Sequence, residues 1–332
     1  MIQRWWDRRG QRGQGMVVLV GSAFSFLQGL VGARGPLHGR RTGQLDLRPF
    51  DYRDAALFYP HLDPSDRVRA FACLGGMPAY LRFFRAGEPL ALHLRRTVLA
   101  PDHFLFREGE ELLRTEFHRE TLYASILRAV AQGQVRPSDI ARAVGRPSAD
   151  QIFDHLIRLQ DLGLLEREVP VTERERARHQ RVQYRLAEPY LRFWYRFVSP
   201  HRSLLQLGRA EPFWKEVAPN LDDFVARTAW EEVVRQAVWR RQDLRMSGLG
   251  RWWDSSTEID LVGVWGDRVT LVGECKWTAS PLSNRDLARL RAKARAAFPG
   301  CSPTCLLASR SGFRADLAGR EDLLLLDPAA LY

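Results

Sequence analysis

The stretch from Glu258 to Trp277 carries the residues best suited to chemistry: Asp260, then Glu274-Cys275-Lys276 after a short gap. Gly266-Asp267 lies between them and is a hairpin signal. A three-residue loop around Asp267 would place Asp260 opposite Glu274, and the two-residue strand period puts Glu274 and Lys276 on one face. Two carboxylates and an ammonium then converge at one end of a twisted hairpin. Hard divalent cations such as Mg²⁺ take carboxylate oxygens and keep some waters, so Asp260 and Glu274 are the candidate ligands, with the Cys275 carbonyl as a further one. Mg²⁺, or Mn²⁺ in its place, would polarise a phosphate and lower the pKa of an attacking water. Lys276 would position that water or neutralise developing negative charge. Upstream, Glu231 or Glu232 would complete the acidic pocket, and Glu231 joins Asp260, Glu274 and Lys276 as a candidate catalytic residue.

An acid followed by Glu-x-Lys is a short pattern with many chance matches. The bland alternative is an exposed hairpin whose charges pair on the surface. Such pairs contribute about 0–1 kcal/mol, which gives little reason to place these types here. Lysine scarcity adds weight. Lys215, Lys276 and Lys293 are the three lysines among 50 Lys and Arg residues. An arginine-biased genome explains the arginines and leaves the lysine at 276 to be explained.

The elements expected to position these groups occupy residues 191–332. Leu221 to Trp239 reads as one long helix, with Leu221, Val225, Ala229 and Val233 recurring on an inward face. Strands are expected near Ile259–Val264, Val269–Cys275 and Thr304–Ala308, with a helix, Asn284 to Ala297, between the last two. Phe193, Trp194, Tyr195 and Phe197 form an aromatic block that suits interior packing more than base stacking.

Residues 116–190 have a different pattern. Tyr123–Ala131 is an amphipathic helix. Pro137 and Ser138 open a second, Asp139–Val144, stopped by Gly145. Ser148-Ala149-Asp150-Gln151 reads as a capping box for a third. In that helix Ile152, Leu156 and Leu159 share a face, while Gln151, Asp154, His155 and Arg158 point elsewhere. Strands Leu164–Val171 and Val182–Leu186 follow, joined by a charged loop with Arg174, Arg176 and Arg178. Three helices and a two-stranded wing are the pattern of a winged helix-turn-helix. Such a module sets its third helix in the major groove and a basic wing on the backbone. Gln151, His155, Arg158 and the three loop arginines are therefore the candidate DNA contacts. The competing reading is a protein-docking module with a solvated loop.

Residues 1–115 read as mixed α/β. Met16–Val20 is an apolar strand leading through Gly21-Ser22 into a helix at Phe24–Val31. Leu45, Leu47 and Pro49 alternate toward Asp51, and Leu74-Gly75-Gly76-Met77-Pro78 is a turn before a helix at Ala79–Phe84. Gly15 to Ala33 lacks charge, but its four Gly, two Ser and one Gln argue against a membrane span. The 332 residues suit two or three domains. A net charge of +11 favours a polyanionic partner. Cys73, Cys275, Cys301 and Cys305 show no zinc spacing, which fits a reduced, cytoplasmic protein.

Taken in order, these motifs resemble prokaryotic AAA+/STAND-type ATPases with a winged helix and a C-terminal PD-(D/E)XK nuclease-like domain. Met16 to Ser22 looks like the family's sensor-1 strand, and Pro36-Leu37-His38-Gly39-Arg40-Arg41-Thr42-Gly43 is similar to its "PLYGRRTG" stretch. Leu47-Arg48-Pro49-Phe50 and Gly75-Gly76-Met77-Pro78-Ala79-Tyr80-Leu81 match the motifs that follow. Trp230-Glu231-Glu232, Trp252-Trp253, Glu258-Ile259-Asp260 and Gly273-Glu274-Cys275-Lys276-Trp277 fit the nuclease-like domain. The resemblance implies a mixed α/β and mainly helical chain. A remnant of the ATPase core and lid (1–115) would precede a winged helix-turn-helix (116–190) and a restriction-endonuclease-like α/β domain (191–332).

The chain departs from that family in having no G-x-x-x-x-G-K-[ST] loop and no lysine before residue 215. It looks like a member without its nucleotide-binding half, so Ser22 and Arg40 would be sensor-like remnants with no nucleotide beside them. ATP is not expected to bind without phosphate-loop amides and a lysine, unless a partner chain supplies that half. The expected function is DNA binding with metal-dependent cleavage. The alternative is a non-catalytic regulatory or interaction module.

Overall fold

The computed structural model describes residues 13, 16–20, 35, 37–40, 42–45, 47–116, 120–173, 181–320 and 322–332. Ser22, the expected helix at Phe24–Val31, and Arg174, Arg176 and Arg178 lie outside them. Met16–Val20 is not a strand: it pairs with no neighbour, and its side chains are exposed, Met16 and Val20 each at 86%. A strand is stable only when its backbone groups are bonded across a sheet, and the described residues offer this segment no sheet. Leu45 and Leu47 are likewise exposed.

From Asp51 the chain becomes a helical layer. The Asp51 carboxylate accepts from the Arg53 and Asp54 amides and caps the short turn Tyr52–Ala55. Asp63 caps helix α1 (Pro64–Leu74), which has Pro64 in its first turn and Gly75 at its end with φ 65°. Gly76 must be glycine for another reason. The Phe50 amide donates to its carbonyl at 2.9 Å, and a Cβ there would lie 1.8 Å from the Phe50 oxygen. The following helix is Pro78–Leu81, shorter than Ala79–Phe84. Helices α2 (Leu90–Arg96) and α3 (Phe104–Glu116) complete the layer.

Three helices and a two-stranded antiparallel sheet come next: α4 (Glu120–Ala131), α5 (Pro137–Ala143), α6 (Phe153–Asp161), β1 (Leu165–Glu168) and β2 (Gln183–Leu186). The register runs from Leu165↔Leu186 to Glu168↔Gln183. Ile152, Leu156 and Leu159 are fully buried, as the periodicity requires. The expected capping box at Ser148 does not form, because residues 149–152 make a tighter 3₁₀ turn and the Ser148 side chain bonds no helix amide. The first wing strand is also shorter than Leu164–Val171, since Val171 opens another 3₁₀ turn.

The C-terminal part is a five-stranded mixed sheet in the order β3-β4-β5-β6-β7. The strands are β3 (Gly248–Trp253), β4 (Glu258–Trp265), β5 (Arg268–Lys276), β6 (Thr304–Ser309) and β7 (Leu323–Leu326). β3, β4 and β5 are antiparallel; β6 and β7 run parallel to β5. Helix α9 (Asn284–Ala297), opened by a Ser283–Asp286 capping box, crosses from β5 to β6. The helix expected over Leu221–Trp239 is two helices, α7 (Ala210–Thr228) and α8 (Trp230–Trp239), broken at Ala229. The buried Arg192 guanidinium takes the Thr228 carbonyl, along with those of Leu186 and Ala187, and so competes for helix acceptors at the joint. One hydrophobic core runs from Tyr52 to Leu331 and includes Leu156, Tyr190, Phe193, Trp194, Trp230 and Leu261. The aromatic block is therefore core. A second, smaller cluster lies between α9 and the other face of the sheet.

Candidate active site

Asp260 and Glu274 do come to face each other, by a route different from the expected three-residue loop. The hairpin turns in two residues, Gly266-Asp267, with Trp265 paired to Arg268 and Gly266 at φ 57°. That turn alone would offset the pair by one residue. A bulge corrects it: Val264 pairs with Val269 but Gly263 pairs with Leu271, leaving Thr270 extra. The register then reads Leu261↔Gly273, and its continuation sets Asp260 across from Glu274. A second irregularity falls at Asp260 itself. Between Gly250↔Val262 and Trp252↔Ile259, Asp260 and Leu261 together oppose Arg251. Bulges bend a strand and re-aim side chains next to functional sites.

The side chains divide the work. Asp260 Oδ2 accepts from the Cys275 amide at 2.8 Å. Glu274 is 5% exposed and bound at both oxygens, by Lys276 Nζ at 2.6 Å and by Lys293 Nζ at 2.8 Å. Burial works to raise the Glu274 pKa, but the two lysines outweigh it and hold the carboxyl below its usual range. Asp260 moves the other way, raised by burial and by the Glu274 charge. Lys276 remains an ammonium: burial opposes its charge, and Glu274 and Asp260 more than compensate.

The α7–α8 break decides between the two upstream glutamates. Both stand in the first turn of α8. Glu231 turns toward the sheet, where burial and the Asp260 charge raise its pKa; Arg251 Nε is 3.4 Å away. Glu232 turns toward the wing and bonds Arg185 at 2.8 Å, Gln236 at 2.8 Å and Arg235. Burial disfavours its charge, but Arg185 and Arg235 overcome that and keep it ionised. Arg185 also holds Glu166 and Glu168 of β1, and Arg251 holds Glu168 and Glu258. The wing is thus tied to the site by alternating charges.

Lys293 is the group that sequence reasoning missed, although lysine scarcity pointed to it: two of the three lysines meet on one carboxylate. The donor set suits a hard divalent cation, since Asp260 and Glu274 offer oxygens and Glu231 adds negative charge. Among the described residues no group of three or more His, Cys, Asp or Glu side chains is arranged to hold a metal ion. An ion here would therefore rest on two carboxylates, main-chain oxygen and water.

The candidate DNA contacts fare unevenly. Gln151 is exposed. His155 is half-buried, its ring 5.0 Å from that of Tyr123 on α4 and its Nδ1 buried without a partner among the described residues. Arg158 is half-buried too. Arg40 sits in a turn and donates to the His38 carbonyl at 3.3 Å. No helix among the described residues is long and apolar enough to cross a membrane.

Residues 194–290 match the DUF234 family model, described as archaea bacterial proteins of unknown function. An uncharacterized protein of Methanocaldococcus jannaschii is 25% identical over 296 residues. That alignment covers 87% of this chain and 65% of the relative, so the chain spans just under two thirds of the relative's length. No solved structure matches.

Proposed function

We propose that the chain binds DNA through its three-helix and wing unit and hydrolyses a phosphodiester bond at the Asp260–Glu274–Lys276 site, with Mg²⁺ or Mn²⁺. The observation that carries this reading is the concentration of acid at one bulged strand end. Burial and the Glu274 charge raise the Asp260 pKa, burial and the Asp260 charge raise that of Glu231, and Glu274 is held ionised beside them. Perturbed carboxylates gathered in this way mark functional sites more often than structural ones. The order of elements supports it: a helix, a hairpin, a crossover helix and a parallel strand, the context that suits this chemistry, hold Glu231, Asp260, Glu274 and Lys276 near one strand end.

A bound divalent cation supplies Lewis acidity and a water of lowered pKa. Asp260 and Glu274 are the residues that would hold it. The Lys276 ammonium would stabilise the charge that gathers on the phosphoryl oxygens. Glu231, with its raised pKa, exchanges a proton at the same pocket. In the hydrolysis the water oxygen bonds to phosphorus and gives up a proton, the P–O bond breaks, and the leaving oxygen takes up a proton. Linear DNA incubated with the full chain and Mg²⁺ or Mn²⁺ is expected to be cut, and chelator is expected to stop it. Asp260→Ala should slow cutting by about a hundredfold or more, while Arg241→Ala on the surface should not. Undiminished cutting by Asp260→Ala would sink the proposal.

One observation favours a second reading. Lys276 and Lys293 satisfy Glu274 with ammonium groups alone, as they would in a non-catalytic module that binds DNA or a partner chain carrying the nucleotide-binding half. DNA binding without cleavage under every metal condition would select it.

A further inference from the structure

A cleft of about 730 Å³ opens between the wing unit and the sheet. One wall is the end of α4 and strand β2; the other is the α7–α8 joint with Glu231, Glu232 and, across from them, Arg251 and Glu258. Asp260, Glu274 and Lys276 do not line it, but Glu231 does, so the cleft ends against the acidic pocket. Its lining holds nearly buried apolar side chains (Val130, Tyr184 and Phe224), the carboxylates of Asp223, Glu231, Glu232 and Glu258, and five guanidinium groups. The guanidinium groups differ in how they are engaged. Arg192 is fixed by main-chain carbonyls, and Arg185 and Arg251 by carboxylates. Arg196 is exposed, lies over the Phe197 ring, and has no carboxylate partner among the described residues. Arg227 is exposed and, among the described residues, bonds Asp223 alone, one turn away at 2.9 Å, a pairing that yields easily to a stronger anion.

We infer that this cleft takes a single-stranded DNA end and leads it to the acidic pocket, an inference that rests on the nuclease reading and names its substrate class. Size decides between strand and duplex. The volume falls in the range of pockets that hold a small ligand, about 300–1,000 Å³, too small for a duplex, whose major groove alone is about 12 Å wide. A few nucleotides of one strand fit, with phosphates on Arg196 and Arg227, the charged groove that tracks a single-strand backbone without sequence preference.

The test is binding of the full chain, in chelator, to a fluorescent oligothymidylate and to a blunt hairpin duplex with the same number of phosphates. The duplex reports on the three-helix and wing unit, the single strand on the cleft. Arg196→Ala with Arg227→Ala should weaken the single strand by about fivefold or more and reduce its log–log salt slope by roughly 1.4, two phosphate contacts at about 0.7 each. Both positions are exposed, and an unchanged Tm confirms that the double variant folds. An equal loss of duplex affinity in the double variant, or an unchanged salt slope for the single strand, overturns the inference. Cleavage is scored separately. Cutting of covalently closed duplex as fast as of single-stranded ends refutes the cleft's role and leaves the chemistry standing. A loss confined to the single strand, without any cutting, supports the cleft and removes the chemistry.

Discussion

Glu274 is bonded by two lysines, while Asp260 receives one main-chain amide. That asymmetry sets the charge of the site. Glu274 is neutralised by its own partners, whereas Asp260 and Glu231 have weaker compensation, Glu231 from Arg251 at 3.4 Å, and the Asp260 charge disfavours that of Glu231. A measurable consequence follows for Glu231. A carboxyl whose pKa is raised by folding holds its proton more tightly in the native chain than in the unfolded one. Its contribution to stability is fully present below the unfolded value, about 4.3, and is lost as pH rises through the folded value. Glu231→Gln has no such proton to lose. In chelator, urea midpoints should therefore show the variant gaining on the wild type as pH rises from 5 to 9, and the gain should be smallest at pH 5. A gain that is constant or shrinks with pH would show that Glu231 is not raised. The variant's stability gain and its slower cleavage would together mark the strain as functional, since stabilising changes at such sites commonly reduce activity.

At the scale of elements, the joint between α7 and α8 places Glu231, and Arg192 makes the joint. Arg192 is 8% exposed. Burial lowers its pKa to about 10, so it stays charged at neutral pH. Its three acceptors are the carbonyls of Leu186, Ala187 and Thr228. Arg192→Met keeps much of the volume and removes the donors, leaving buried carbonyls unpaired. The expected cost is about 3 kcal/mol or more, read from urea unfolding; a cost below about 1 kcal/mol would mean that water replaces the guanidinium. This joint was not legible in the sequence, because the competing donor lies 36 residues away from Thr228. What was legible had local causes. The β4–β5 hairpin shows in its alternation and in Gly266, and α9 is bounded by its cap, so its ends match the expected Asn284–Ala297. β3 and β7 were missed for the opposite reason. Gly248-Leu249-Gly250-Arg251 lacks alternation and the run Leu323 to Leu326 has no period, and their neighbours alone make them strands. Lys293 belongs with these, since only the α9 crossover brings it to Glu274.

At the scale of the molecule, the continuous core has a consequence for how the chain comes apart. Tyr52 and Val68 from the helical layer, Leu156 and Leu186 from the wing unit, and Leu261 and Leu306 from the sheet all belong to one buried cluster. Ion pairs cross the same seams, Arg185 to Glu232, Arg251 to Glu168 and Arg69 to Asp222. A unit removed from this core would expose apolar surface on the remainder at about 25 cal/mol per Å², so none of the three gains by unfolding alone. Unfolding should then be a single cooperative transition in residues 52–332. The tryptophans make this easy to follow. Trp230 and Trp277 pack at 5.0 Å in the shared core, and Trp252 lies in the second cluster against Phe298. Far-UV circular dichroism, dominated by the helices, and tryptophan fluorescence, which reads both the shared core and the second cluster, should give coincident urea transitions. A fluorescence midpoint separated from the helical one would divide the sheet from the rest. The wing would then dock through its charges alone, and the cleft between wing and sheet would open with the same ionic strength that loosens Arg185 and Arg251.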